Sequence, residues 1–175
     1  MTTRREENAM ALASLVGVDA EEAARLLDCT IAVVWDPADK SADAIAAHLL
    51  ALLSRTVTAV SANATSPQAM TEVAIGNVVA QRPGSLRLSV GTDAIRIGGG
   101  AQVAPIAKAP KVLELITACY AAGMAIKAAL GATARLPGPS PETGLVVPTK
   151  SLLGEDARWT SARVSGRMLA RRCVQ

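Results

Sequence analysis

The chain has 175 residues, half of them apolar, and it contains one Tyr, two Trp and no Phe. A chain of this length forms one domain, or one domain with an appendage, and buries roughly 70% of its unfolded surface. With so few aromatic side chains it offers few platforms on which bases or sugars could stack. The net charge of +3 comes mainly from arginines near the C-terminus, so the main body has no electrostatic reason to bind nucleic acid.

The N-terminal segment and the cysteines bear on the cellular compartment. Residues 1–10 carry mixed charge and then a short apolar patch, which is not the pattern of a signal peptide. The three cysteines (Cys29, Cys119 and Cys173) are scattered and odd in number, so they offer neither a disulfide framework nor paired zinc ligands. We therefore expect a soluble cytoplasmic protein without a metal site.

The first half of the chain alternates predicted helices and strands. Residues 1–17 are predicted as an N-terminal extension. Asp19 and Glu22 then form a capping-box pattern that opens a helix to residue 28. A continuous β-branched run at residues 30–35 predicts a strand buried on both faces. Ser41 caps a helix that extends to about residue 54.

The middle of the chain predicts two further strands around one more helix. A strand is expected at residues 56–61. Ser66-Pro67 combines a helix cap with a first-turn proline, which predicts a helix to about Gln81. Residues 86–90 and 94–97 alternate apolar and polar side chains on either side of a glycine-containing turn, so they predict a β-hairpin.

The longest helical signal lies at residues 110–131, which begin with a proline and end with a glycine. The segment is apolar almost all round, so we expect its own protein to cover it on most sides. Glu114 and Lys127 argue against a membrane span. Small side chains at residues 121–123 allow another backbone to approach closely.

These elements together predict the fold class and the domain limits. The order of strands and helices is typical of an α/β protein, a Rossmann-like layered sandwich with a mixed sheet around the central buried helix. We assign residues 18–135 to this domain. Residues 136–175 begin with a proline-rich stretch and end with basic side chains, so they are predicted as a linker and a tail.

Four charged residues form the predicted ligand site. Asp36 and Asp39 lie where the chain leaves the first strand, which is where α/β sheets tend to bind ligands. Lys108 and Lys111 flank the start of the central helix, whose dipole favours anions. Turn and cap roles explain the aspartates equally well, and two solvated lysines at a helix entrance are ordinary.

Two other patterns have a functional and a structural interpretation. Gly98-Gly99-Gly100 follows a strand, as phosphate-binding loops do, but it lacks the GxGxxG spacing and reads better as a flexible connection. Arg163, Arg167 and Arg171 share a helix face that would suit an acidic partner or a phosphate backbone. A solvated tail explains these arginines as well.

His48 and Cys119 are the remaining candidates for chemistry. His48 is the single histidine, and it is predicted to be a half-exposed helix residue with no serine or aspartate at a telling spacing. Cys119 lies in the apolar central helix and is expected to be buried in the core of the protein, with no nearby cation to lower its pKa.

Three segments carry a family resemblance, namely VDAEEAARLLDCTIAVVWDP, LITACYAAGMAIKAALG and an extended segment ending in KSLLG. With them the chain resembles bacterial proteins of the ThiF/MoeB-like adenylating superfamily, which is related to ubiquitin-activating enzymes. It covers about residues 18–155. The GxGxxG loop, the catalytic aspartate with its Asn-Arg-Gln element and the CxxC zinc pairs of that superfamily are missing, so no catalytic residue can be carried over.

The resemblance implies a non-catalytic half that forms a dimer, or that binds a catalytic adenylating subunit or a carrier protein. The sequence identifies no cofactor. Two alternatives stay open, namely a small enzyme that acts on a nucleotide, acyl-CoA or phosphorylated substrate, and a nucleic-acid-associated module that uses the C-terminal arginines.

Overall fold

The computed structural model describes residues 3–64, 66–99, 101, 106–108, 110–131, 136 and 138–153. Within these residues the helices are α1 (Arg4–Val16), α2 (Ala20–Leu26), α3 (Lys40–Leu53), α4 (Lys111–Leu130) and α5 (Thr149–Leu153). The strands are β1 (Thr30–Trp35), β2 (Ala59–Ala62), β3 (Thr71–Ile75), β4 (Leu86–Val90), β5 (Ala94–Gly98) and β6 (Leu145–Pro148). The predicted α/β class is confirmed.

The six strands form one mixed sheet in the order β2-β1-β3-β4-β5-β6. Strand β1 lies between β2 and β3 and is parallel to both, and β3 is parallel to β4. Strand β5 is antiparallel to β4 and to β6. The predicted β-hairpin at residues 86–97 is therefore confirmed.

One face of the sheet is covered by α3 and α4, which pack against each other and against the strands. The side chains that alternate along the four central strands point into this helical layer, namely Ile31, Val33, Val73, Ile75, Leu86, Leu88, Ile95 and Ile97. Fully burying one such side chain stabilises the fold by about 1.5–3 kcal/mol. The main hydrophobic core therefore lies between the sheet and these two helices.

The central helix α4 buries one side and exposes the other. It buries nine of its 20 residues, with Leu113, Ala118 and Ala121 completely covered. Leu115 and Tyr120 are 45% and 38% exposed, however, and Cys119 is exposed as well. The prediction that Cys119 is buried is wrong, because the sheet and α3 cover only one side of the helix. By length and composition α4 could cross a membrane, but here it is a core helix of the fold.

A second hydrophobic cluster attaches the N-terminal helices to the end of α4. It contains Ala9, Leu12, Ala23, Leu27 and Leu130. Helix α1 begins at Arg4, where Thr3 and Glu6 form a capping box. The segment predicted as an N-terminal extension therefore packs on the core.

Strand β6 lies in the segment that the sequence predicted as a linker and tail. Its residues pair with β5, Ile95 opposite Val147 and Ile97 opposite Leu145. Thr149 then donates a hydrogen bond from its hydroxyl to the carbonyl oxygen of Asp93, at 2.9 Å. The sheet thus extends beyond residue 135, to Pro148.

The helix predicted from Ser66 to about Gln81 is wrong. Strand β3 occupies its middle, and all five of its residues are buried. The Ser-Pro pattern introduces a turn instead, in which the Ala69 amide donates to the Ser66 carbonyl. Burial of β3 on both faces removed the alternation that would have marked it as a strand in the sequence.

On the face of the sheet opposite α3 and α4, the described residues that bond to Glu72 belong to the β3–β4 connection, which forms no helix. Glu72 points to that face, and its Oε1 accepts hydrogen bonds from the Gln81 amide at 2.8 Å and the Ser85 hydroxyl at 3.0 Å. Arg82 in turn donates to the Ser66 carbonyl at 2.8 Å. These bonds hold the β3–β4 connection against the preceding connection and against the sheet.

Strands β5 and β6 approach closely at two glycines, which leads to a stability prediction. A Cβ atom on Gly98 would lie 2.4 Å from the Gly144 Cα, and Gly98 has a φ of +151°. Gly98→Ala is therefore expected to lower the free energy of unfolding by about 2 kcal/mol or more. Urea denaturation measures this loss.

Gly99→Ala is the matched control, because its Cβ would come no closer than 3.9 Å to a neighbour, the Pro141 carbonyl oxygen. It is expected to change the unfolding free energy by less than about 0.5 kcal/mol. Equal losses for the two variants would contradict the close contact.

Candidate functional site

The carboxyl ends of the parallel strands form the first candidate site. In open α/β sheets, ligands bind where the strand order reverses, which in this sheet is between β1 and β3. Asp36 and Asp39 follow β1 directly, so the structure places both at this edge. Their amide-to-carbonyl bond of 3.1 Å, from Asp39 to Asp36, keeps them in one turn.

The carboxylates at this edge are already bonded to the protein. One Asp36 oxygen accepts from the Ala38 amide at 2.9 Å. One Asp39 oxygen caps α3 by accepting from the amides of Ser41 at 3.0 Å and Ala42 at 3.1 Å. Asp43 accepts from the Trp35 indole nitrogen at 2.9 Å. The turn and cap interpretation of the aspartates therefore agrees with the geometry.

Lys108 and Lys111 lie near the same edge but do not join the aspartates. The Ala107 amide donates to the Val90 carbonyl at 2.9 Å, which holds the segment before α4 at the carboxyl end of β4. Both lysines are exposed. Among the described residues, no hydrogen bond or ion pair connects either lysine to Asp36 or Asp39. The structure thus does not bring the four predicted residues into one bonded site.

His48 lies on the exposed side of α3, near the first turn of α4. Partial burial raises the pKa of the Glu114 carboxyl, and the nearby His48 and Lys111 oppose that rise. His48 is thus close enough to Glu114 to act on its charge. Within the described residues, no hydrogen bond joins His48 to a nucleophilic side chain.

The glycine run and the arginine tail add no described site. The Gly99 amide donates to the Pro141 carbonyl at 3.0 Å. This bond joins the end of β5 to the segment before β6, so the amide is not available to bind a phosphate. No group of three or more metal-ligating side chains occurs in the described ranges. Gly100 and the predicted helix face of Arg163, Arg167 and Arg171 lie outside the described residues.

The second candidate site is an apolar groove between α1 and the C-terminal half of α4, which we call the α1–α4 groove. Its volume is about 510 Å³. Helix α1 contributes Asn8, Ala11, Leu12 and Leu15. Helix α4 contributes Cys119, Tyr120, Gly123, Met124, Ile126 and Lys127. The remaining lining residues come from other segments, namely Leu27, Thr56, Leu136, Pro139 and Leu145.

The floor of the groove is buried and its rim is open. Leu12, Leu27 and Met124 are at most 8% exposed. Leu15 at the rim is 58% exposed. Water therefore reaches one side of the groove, while the floor belongs to the two hydrophobic clusters.

Gly123 lies in the wall of this groove, in the interior of α4. A Cβ atom at this position would meet no other atom within 4 Å. A glycine inside a helix is less favourable than alanine by about 1 kcal/mol. No contact in the part of the chain that the structure describes explains this glycine.

Two buried groups have properties that sequence reasoning missed. Burial raises the pKa of the Cys29 thiol, and the neighbouring Asp28 carboxylate adds to the rise. Glu72 is 1% exposed, and its Oε2 has no hydrogen-bond partner among the described residues. The groove was missed too, because α1 and α4 are more than 100 residues apart in the sequence. The sole sequence signal was the run of small residues at 121–123.

Comparisons with known proteins assign the chain to no family. No protein-family model matches the chain, and a search of curated proteins finds no match. The resemblance to adenylating proteins therefore rests on the residue patterns alone.

Asp39 provides a test of the structural interpretation of the predicted site. Asp39→Ala removes the cap of α3 and is expected to lower the free energy of unfolding by about 1 kcal/mol, measured by urea denaturation. Asp39→Ser is the matched control, because a serine hydroxyl can accept the same amide bonds. If Asp39→Ala leaves stability unchanged, the carboxylate is not needed as a cap.

Proposed function

We propose that this chain is a non-catalytic α/β domain, similar to the inactive half of a ThiF-like adenylating enzyme, that acts by binding a protein partner. The observation that carries the proposal is the outer side of α4. Leu115 and Tyr120 are 45% and 38% exposed there, in a helix that is otherwise the centre of the core. Leu115 and Tyr120 are five positions apart, so they lie at opposite margins of the exposed side, and exposed apolar patches mark contact sites in soluble proteins.

The spacing along α4 suits a close approach by another chain. Leu115, Cys119 and Gly123 follow at intervals of four residues, so they form one row on the exposed side. The small side chains of Cys119 and Gly123 leave room for another backbone to approach. Leu115 and Tyr120 supply the apolar area of this surface. Such a surface fits an apolar interface core surrounded by polar side chains.

The hydrogen bonds at the strand ends support the non-catalytic part of the proposal. An adenylating site must hold ATP by its phosphates, and helix N-termini and glycine-rich loops do this in nucleotide-binding folds. Here Asp39 occupies the N-terminal amides of α3. Gly99 is engaged with Pro141.

The partner under this proposal is a second copy of the chain, a catalytic adenylating subunit or a carrier protein in the cytoplasm. An enzyme acting on an anionic substrate would need Asp36, Asp39, Lys108 and Lys111 to converge, and no described contact connects these aspartates with the lysines. The nucleic-acid alternative depends on arginines outside the described residues, so it stays a prediction.

The first test of the proposal is self-association. We expect the purified chain to form a dimer in sedimentation velocity at micromolar concentration. Leu115→Lys places a charge in the contact and is expected to weaken the dimer at least tenfold, which corresponds to about 1.4 kcal/mol. Met70→Lys is the matched control, because Met70 is 62% exposed but lies outside α1 and α4. An equal effect of both variants would exclude the α4 surface.

A second test addresses chemistry. The purified chain, incubated with ATP and labelled pyrophosphate, is expected to show no exchange of label into ATP, because no described site holds the triphosphate. Heat-denatured protein gives the background, and a catalytic adenylating enzyme gives the positive control. Exchange well above background by this chain alone would overturn the non-catalytic assignment.

A further inference from the structure

Three polar side chains in the lining of the α1–α4 groove donate hydrogen bonds to backbone carbonyls of the chain. The Asn8 side-chain nitrogen donates to the Arg55 carbonyl at 2.7 Å, and the Thr56 hydroxyl donates to the Leu52 carbonyl at 3.1 Å. The Lys127 ammonium donates to the Gly138 carbonyl at 2.8 Å. Most of the remaining lining is aliphatic. An occupant would therefore be held by apolar contact.

The size of the groove decides between a small molecule and a protein. Residues 8–15 of α1 span about 12 Å. Fifteen residues line the groove, which is fewer than the roughly 20–30 residues that each side of a standard protein interface contributes. A stable protein interface needs about 800 Å² on each partner. The volume of about 510 Å³, by contrast, lies within the usual range for small-molecule sites.

Gly123 adds to the space of the groove. Apart from its own helix backbone, no described atom lies within 4 Å of the place where its side chain would begin. The space opens into the groove, between Tyr120 and Met124 of the same helix. A flexible methionine at the floor can adapt to different apolar shapes.

The lining also distinguishes between apolar ligands. The floor consists of Leu12, Leu27 and Met124, and the aromatic side chain of the lining, Tyr120, lies at the exposed rim. A planar aromatic ligand would find no ring to stack on at the floor. We propose that the α1–α4 groove binds a single aliphatic chain, such as the acyl chain of a fatty acid, with its polar end at the open side. The groove shares Cys119, Tyr120 and Gly123 with the proposed protein contact, whereas Leu115 lies outside its lining.

Binding is tested with fatty acids of increasing length. A dansyl-labelled undecanoic acid serves as the fluorescent probe, and hexanoic, octanoic, decanoic and dodecanoic acids displace it. Each added methylene is expected to tighten binding up to about fourfold. An extended chain advances about 1.2 Å per bond, so the increase should level off near ten carbons, when the groove of about 12 Å is filled.

The decisive variant is Gly123→Leu, which fills the groove. Because leucine is a better helix former than glycine and its Cβ would meet no described neighbour within 4 Å, this variant is expected to keep or raise the melting temperature. It is expected to weaken dodecanoic acid binding at least tenfold. Ala47→Leu is the matched control, since it adds the same side chain at an exposed position of α3 and should bind like the original chain.

Cys119 gives a second readout inside the groove. It is exposed in the lining, so N-ethylmaleimide should label it, whereas the buried Cys29 with its raised pKa should react slowly. Saturating dodecanoic acid is expected to slow labelling of the Cys119 peptide at least fivefold by mass spectrometry. The rate at Cys29 should not change.

Three results would overturn the proposal. They are a flat displacement curve with all four acids, equal binding by Gly123→Leu and the original chain, and unchanged labelling of Cys119. Leu115→Lys is titrated in parallel, because a monomeric variant that still binds dodecanoic acid supports the site even if the chain does not self-associate. If Gly123→Leu abolishes a dimer and no fatty acid binds, a second copy fills the groove and the aliphatic site is excluded.

Discussion

The side-by-side packing of α3 and α4 on one face of the sheet is the constraint on which the rest of the structure depends. At 14 and 20 residues, the two helices are about 21 and 30 Å long. Helix α4 therefore extends beyond the support that α3 provides. Helices α1 and α2 cover its far end around Leu130. The α1–α4 groove lies where this secondary cover meets the exposed side of α4.

The two faces of the sheet carry different side chains. The helical face is closed by large aliphatic side chains, whereas the opposite face carries the small side chains of Ala32 and Ala74 along β1 and β3. These alanines let the extended connections lie close to the sheet. Because the backbone of an extended segment has no internal hydrogen bonds, Glu72 supplies an acceptor to the one that follows β3. The buried Glu72 carboxylate thus holds a connection on the face of the sheet that a helix covers in doubly wound folds.

Much of the fold could be predicted from local patterns. The β-branched run of β1, the alternation in β4 and β5 and the cap of α2 at Asp19 are local signals, and each gave the right element. Strand β2 starts at Ala59 and not at residue 56, because the amides of Thr56 and Val57 still bond to the last turn of α3. The β3 region failed because its burial on both faces hides the period of a strand. The Ser66-Pro67 pattern therefore predicted a helix, whereas burial in the sheet makes residues 71–75 a strand.

The candidate sites were harder to predict, because they depend on contacts between distant segments. Asp36 and Asp39 were found from their place after a strand, but their hydrogen bonds decide between ligand binding and local structure, and these are invisible in a sequence. The exposure of Cys119 follows from which side of α4 meets the sheet. The groove depends on α1, which no periodicity assigned to the core. Gly123 could be recognised in the sequence as a small residue, but its place in the lining of the groove is seen only in the structure.

The contact between Gly98 and Gly144 has a consequence for the order of folding. Strand β6 joins β5 only after the chain has passed through α4, so this pairing closes a loop of about 50 residues at an entropic cost of roughly 3.5 kcal/mol. Strands β4 and β5 are joined by a short turn and can pair early. The β5–β6 pairing therefore carries a closure cost that the β4–β5 hairpin does not.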